Sequence, residues 1–192
     1  SGKGVNAGMV MAKAITLFKI FARQKFKPNE ILFEMNNDLK QTNPAGTFVT
    51  SIVGSYNMKT DIIELSNAGH QPALYKNGKN FKEYGSTTTP LGVASKENAS
   101  AYKIEKFKLD GGRIYCFTDG FSESRDNQNK EIGIDGVKKL ISDNQNSSLK
   151  KELKMITEIV RQNSLKKGSL EKGIKRNNDL LEDDLTIIGI GN

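Results

Sequence analysis

Two acidic sites, far apart along the chain, carry the chemistry this sequence offers. The first closes the run Arg113-Ile114-Tyr115-Cys116-Phe117-Thr118-Asp119-Gly120. An apolar, β-prone stretch follows the Asp110-Gly111-Gly112 turn signal and reads as a buried central strand. It ends on an aspartate followed by a glycine, where an ion or phosphate can approach the backbone. The second site is Glu182-Asp183-Asp184-Leu185-Thr186, which leads into Ile187-Ile188-Gly189-Ile190 with the acids before the strand. If the two strands are neighbours, Asp119 and Asp183 can share one hard cation, because hard divalent ions prefer carboxylate oxygen. The plainer alternatives are a turn aspartate at a strand end and a solvated acidic loop.

Other reactive residues are few. His70 is the only histidine. It is either a general acid or metal ligand, or a hydrogen-bonded structural residue, and hard-ion sites favour oxygen over imidazole. Lys3, beside a glycine-rich turn, is either drawn to phosphate or simply solvated. Cys116 is the only cysteine and lies inside the strand run, so it forms no internal disulfide and reads as a small buried hydrophobe. A reducing, cytoplasmic setting is the expectation.

The elements that must position these residues follow from periodicity. Val5, Met9, Met11, Ala14, Ile15, Phe18 and Phe21 recur near a 3.6 spacing and predict a long, largely buried helix ending near Gln24. Pro28 and Glu30 suit the first turn of a second helix, with Ile31, Leu32, Met35 and Leu39 inward. Strands are expected at 48–56, 62–66, 73–76, 80–84, 102–109 and 113–118, arranged as an antiparallel meander with an Asn77-Gly78 hairpin turn. A short helix over 135–142 and another after Ser147 or Ser148 follow, the latter with Glu152 in its first turn. Residues 165–179 read as a polar, basic surface loop, and 185–190 as the last strand. The order is that of an α+β protein rather than a doubly wound one.

With 192 residues, 36% hydrophobic and 27% charged, the chain suits one globular domain. No apolar run approaches the roughly 18 residues a bilayer-crossing helix needs, and no signal peptide is visible. The net charge of +7 invites an acidic partner. The lysines are dispersed, however, and no aromatic-interleaved basic patch appears, so nucleic acid is not the expected partner.

Six segments, taken in order, resemble the PPM-type (protein phosphatase 2C-like) serine/threonine phosphatases of the stage II sporulation protein E and sigma-B-regulator subgroup. They are Ser1-Gly2-Lys3-Gly4-Val5-Asn6-Ala7, Phe48-Val49-Thr50, Asn67-Ala68-Gly69-His70-Gln71-Pro72, Pro90-Leu91-Gly92, Phe117-Thr118-Asp119-Gly120-Phe121-Ser122-Glu123 and Asp183-Asp184-Leu185-Thr186. Each is weak alone, and the ordered set spans nearly the whole chain. The resemblance implies an antiparallel β-sandwich flanked by helix pairs, and hydrolysis of phosphoserine or phosphothreonine on a protein with two Mn²⁺ or Mg²⁺ ions. Asp119 and Asp183 match metal ligands of the family. Asp184 matches a position that orients Asp183 or a bound water, Gly120 and His70 are weaker neighbours of the site, and the Ala-Gly-His motif looks structural.

In the family a Gly-Asp pair and the opening strands precede the Ser-Gly-Lys-Gly turn. The resemblance therefore implies an N-terminally truncated domain over 1–192 that lacks its first metal-ligand aspartate, with little activity of its own. The implied partners are a phosphorylated anti-sigma-factor antagonist or similar protein and an N-terminal sensor or membrane region, the chain then being the cytoplasmic domain of a membrane-anchored protein. A homodimer is also open. The first two helices resemble a regulatory switch element. A non-catalytic interaction domain with the same fold is the alternative reading.

Overall fold

The computed structural model describes residues 4–126, 130–145, 148–170 and 185–191, with the backbone alone for 163–170. The chain divides into two compact units, Ser1–Pro72 with Tyr84–Asp110, and Ala73–Glu83 with Gly111–Asn192.

In the first unit, α1 (Val5–Arg23) and α2 (Pro28–Thr42) form a helical hairpin. Pro28 occupies the first position of α2, where its missing N–H costs nothing, and Glu30 reaches back to accept the Lys27 N–H at 2.7 Å. The inner stripe of α2, Ile31, Leu32, Met35 and Leu39, is buried as its spacing predicts. The expectation for α1 is corrected. Only Val10 and Ala14 are buried, with Leu17 and Phe21 partly so, a single i, i+4, i+7, i+11 stripe. Met9, Met11, Ile15 and Phe18 are exposed, Met9 by 67%. One partner helix covers one stripe, and an all-round apolar sequence does not say how many partners it has. By length and composition α1 is also apolar enough to cross a bilayer, contrary to the reading of the sequence. In this unit its buried stripe and the Lys13–Asp38 ion pair hold it to α2.

Strands β1 (Ser51–Asn57) and β2 (Ile62–Ala68) form the expected hairpin, its turn closed by the Asn57 carboxamide oxygen accepting the Lys59 and Thr60 N–H groups. The meander stops there. After β3 (Ala73–Asn77) and β4 (Asn80–Tyr84), β5 (Glu105–Lys108) returns to pair with β2, giving an antiparallel sheet β1-β2-β5. Strand β5 is shorter than expected. Tyr102 instead closes a single 3₁₀ turn over Ala99–Ala101 and buries its ring beside α2 residues. Phe48 and Val49 lie outside β1, Val49 making an isolated bridge to Leu91.

The second unit holds the sheet β4-β3-β6-β7, with β6 (Arg113–Phe117) central and β7 (Ile187–Gly191) at its edge. Strand alternation is local information, so it did not reveal that the β3–β4 hairpin belongs with β6 and not with β2. Helix α3 (Asp119–Ser122) follows β6, then α4 (Gly133–Asp143) and α5 (Leu149–Leu170). Leu74, Tyr115, Phe117, Phe121, Val137, Ile141, Ile156 and Val160 make its core. Helix α5 runs through residues 165–170, where a surface loop was expected, and 171–179 lie outside the described residues.

Candidate metal centre

Strand β6 is gripped on both edges, by β3 and by β7. It runs antiparallel to β7 with Phe117 opposite Ile187, so the end of β6 meets the start of β7. That is the neighbourhood the two acidic sites require. One step further, Thr118 N–H donates to the Thr186 carbonyl at 3.0 Å. Phe117 and Phe121 anchor the turn from below, 2% and 0% exposed.

Asp119 opens α3. Its carbonyl accepts the Glu123 N–H at 2.8 Å and the Ser122 hydroxyl at 3.1 Å, and its Oδ1 accepts the Gly120 N–H at 3.0 Å. Gly120 is buried beside it, and its carbonyl accepts the Ser124 hydroxyl. The Asp119 side chain is exposed, and no cationic side chain among the described residues pairs with it. An unpaired carboxylate on a rigid strand end is the donor a hard divalent ion takes. Asp183, Asp184 and Lys3 lie outside the described residues. Among those described, no three acidic, His or Cys side chains gather around one point, and Asp119 is the one sequence-predicted ligand whose position is described.

His70 belongs to the other unit and is held by hydrogen bonds. Its Nδ1 lies 3.0 Å from the Thr50 hydroxyl, its N–H donates to Asn67 Oδ1 at 2.9 Å, and its carbonyl accepts from Asn67 Nδ2 at 3.2 Å. Asn67 Nδ2 also reaches the Gln71 and Tyr84 carbonyls, so one buried amide ties the whole 67–72 loop. Gly69 has φ +67°, and a Cβ there would lie 2.5 Å from the Pro90 ring. The Pro90-Leu91-Gly92 segment is in turn held by α2, through Asn36, whose Oδ1 accepts the Gly92 N–H at 2.9 Å.

Sequence reasoning missed a buried ionic cluster in the second unit. Glu152 is fully buried, with Tyr115 and Arg113 as partners, and Lys76 donates to the Gly78 carbonyl at 2.9 Å and to Gln145 at 2.6 Å. Burial holds the Lys76 ammonium below its usual range. The signal was present, because Glu152 falls inside the apolar stripe of Leu149, Leu153, Ile156 and Val160. Burial likewise pushes the Cys116 thiol up to about 11, which makes it a poor nucleophile at neutral pH.

Two antiparallel sheets with flanking helices and an acidic residue at the end of a central strand define an α+β domain of the protein phosphatase 2C type. The solved structures agree. The SiaA-PP2C domain of Pseudomonas aeruginosa matches with a TM-score of 0.79 and 16% identity, covering 100% of this chain and 72% of that one. The PP2C phosphatase domain and regulatory-domain fragment of SpoIIE from Bacillus subtilis matches with a TM-score of 0.77 and 15% identity, over 100% of this chain and 52% of that one. Within this fold class the chain belongs to the stage II sporulation protein E (SpoIIE) family, whose model matches residues 1–191. The phosphoserine phosphatase RsbU of Bacillus subtilis (strain 168) is 24% identical over 155 residues, 81% of this chain and 46% of that protein. The chain thus spans about half the length of that curated relative.

Proposed function

We propose that this domain hydrolyses phosphoserine or phosphothreonine on a protein and that its metal centre is built on Asp119. The observation that carries the reading is the position of that carboxylate: exposed, without a cationic partner among the described residues, and at the end of a central strand whose neighbour is approached by an acidic pair in sequence. Asp119 and Asp183 would hold Mn²⁺ or Mg²⁺, two ions in the family's pattern. Such ions, when bound, supply hydroxide near neutral pH and offset phosphoryl charge. The chain's own contribution is rigidity and charge. The Asp119 carbonyl accepts from Glu123 and Ser122, and Phe121 packs beneath, which fixes the backbone that carries the carboxylate. Its Oδ1 accepts the Gly120 N–H, which leaves Oδ2 without a hydrogen bond to the turn.

The proposed substrate is a small phosphorylated signalling protein of the anti-sigma-factor-antagonist kind. Support comes from the name of the RsbU relative, a phosphoserine phosphatase, and from a structural neighbour that joins RsbU and RsbW domains, the Rv1364c protein of Mycobacterium tuberculosis, with a TM-score of 0.68 and 20% identity over 86% of this chain.

The test is phosphate release from a phosphoserine-bearing protein, with and without Mn²⁺, by the protein in its full encoded length and by its Asp119→Asn variant. Loss of one ligating carboxylate is expected to lower Mn²⁺-dependent turnover at least about 100-fold, since even groups that only orient a ligand are worth 10–100-fold. Equal turnover by the variant would remove Asp119 from the centre. No turnover by either protein would favour the interaction-domain reading.

A further inference from the structure

Thr118 stands where β6 has to satisfy two demands with one carbonyl. That carbonyl is turned out of the sheet and accepts the Phe121 N–H at 3.0 Å, the bond that begins the turn carrying Asp119. Directly opposite, Thr186 is the next residue in the β6–β7 register after the Phe117–Ile187 pair. In an antiparallel ladder a hydrogen-bonded pair exchanges both N–H···O bonds. Thr118 gives its half, N–H to the Thr186 carbonyl. The return bond has no carbonyl to go to, and the Thr186 N–H donates instead to the Thr118 hydroxyl, at 3.1 Å. The side chain thus replaces the diverted backbone acceptor. An extended backbone at Thr118, φ −81° and ψ 162°, suits a β-branched residue with a hydroxyl on Cβ.

The consequence is a matter of register. Thr186 lies three residues after Asp183 in the sequence, and three residues of chain reach at most about 11 Å. A slip of one residue in the pairing would turn every following side chain to the other face. The Thr118–Thr186 exchange is the last hydrogen-bonded pair among the described residues before the acidic segment.

We propose that Thr118 is a positioning residue of the metal centre: its hydroxyl keeps β7 paired out to Thr186, which frees the Thr118 carbonyl to begin the turn that presents Asp119. The proposal rests on the metal-centre reading above. It makes a demand that mere strand stability does not. Removing the hydroxyl must weaken ion binding while the fold without metal is unchanged.

The experiment measures Mn²⁺ binding directly, by titration calorimetry without any phosphoprotein, on the full encoded chain and its T118V, T118S and D119N variants. Thermal midpoints are recorded in EDTA. T118V is expected to bind Mn²⁺ at least about tenfold more weakly, the lower end for lost groups that orient ligands. Its EDTA midpoint should stay within about 3 °C of the parent. T118S, which keeps the acceptor, should bind as the parent does. If D119N loses Mn²⁺ and T118V does not, the positioning role is overturned and the metal centre stands. If D119N binds as the parent does, the metal-centre reading fails and takes this proposal with it. Should T118V not fold, T118A carries the same comparison. If neither folds, or the EDTA midpoint drops together with affinity and T118S fails to rescue, Thr118 is a structural residue and the proposal is overturned.

Discussion

Glu152 of α5 places Oε1 2.6 Å from the Tyr115 hydroxyl and Oε2 2.5 Å from Nη1 of Arg113, and it does so with no solvent exposure at all. Both partners are on β6, two residues apart and therefore on one face, so a single carboxylate sets where α5 crosses the strand that ends in Asp119. Burial first, and the bond to Glu152 second, push the Tyr115 hydroxyl well above the usual phenol range.

Removing one member of such a cluster leaves a buried charge without compensation, whereas replacing all of it with apolar residues removes the desolvation cost as well. Glu152→Gln should lower stability by about 3 kcal/mol in urea unfolding. The combined Lys76→Met, Arg113→Met, Tyr115→Phe, Glu152→Leu variant should recover most of that loss. A Glu152→Gln variant as stable as the parent would show that the carboxylate is better solvated than its burial indicates.

Tyr102 gives the opposite prediction. Its ring is 1% exposed, and its hydroxyl has no hydrogen-bond partner among the described residues. Tyr102→Phe deletes an unsatisfied polar group and should raise stability by about 1 kcal/mol. The same burial raises the phenol from 10.0 to about 12. The folded form therefore holds its proton where the unfolded form has lost it. The resulting stability is fully present below pH 10 and is lost as pH rises from 10 toward 12. Urea titrations at pH 8 and at pH 11 should show a smaller alkaline loss for the phenylalanine variant than for the parent.

The exposed side of α1 is testable by indifference. Met9 is 67% exposed and outside the stripe that packs on α2. Met9→Gln in the 192-residue chain should change stability by no more than about 0.5 kcal/mol, the ordinary range for a surface site. Ala14→Gln, on the buried stripe, should cost several times more through overpacking, with a clear drop in the thermal midpoint.

Gly69 makes the last prediction. With φ +67° and a Cβ that would strike Pro90, Gly69→Ala should cost at least about 2 kcal/mol, combining left-handed backbone strain with a clash. The loss should appear as a lower urea midpoint, without any change in Mn²⁺ affinity if His70 is structural.

Much of this protein was legible residue by residue. The hairpins at Asn57–Asp61 and Asn77-Gly78, the buried face of α2 and the strand that ends at Asp119 all follow from local rules: turn chemistry, a 3.6 period and an apolar run before an aspartate. These are short-range, so a few neighbouring residues contain them. Which side of α1 would be covered was not legible, because Met9 and Val10 are equally apolar and only the position of α2 separates them. The burial of Glu152 was half legible, written in its helical spacing and hidden by the habit of leaving acids on the surface.

The amino-acid order by itself determined the class of element over most of the described residues, and the two strands that have acidic residues beside them in sequence, because propensity and periodicity act over a turn or a pleat. Only the tertiary structure decided that the β3–β4 hairpin joins β6, that β7 lies beside β6 with Phe117 facing Ile187, and that Thr118 lends its hydroxyl to Thr186. Those outcomes depend on which edges meet between segments far apart in the chain, Thr118 and Thr186 being 68 positions apart. Edge choice is settled by the burial of whole faces and by where each backbone N–H finds an acceptor, and neither quantity exists until the chain has folded.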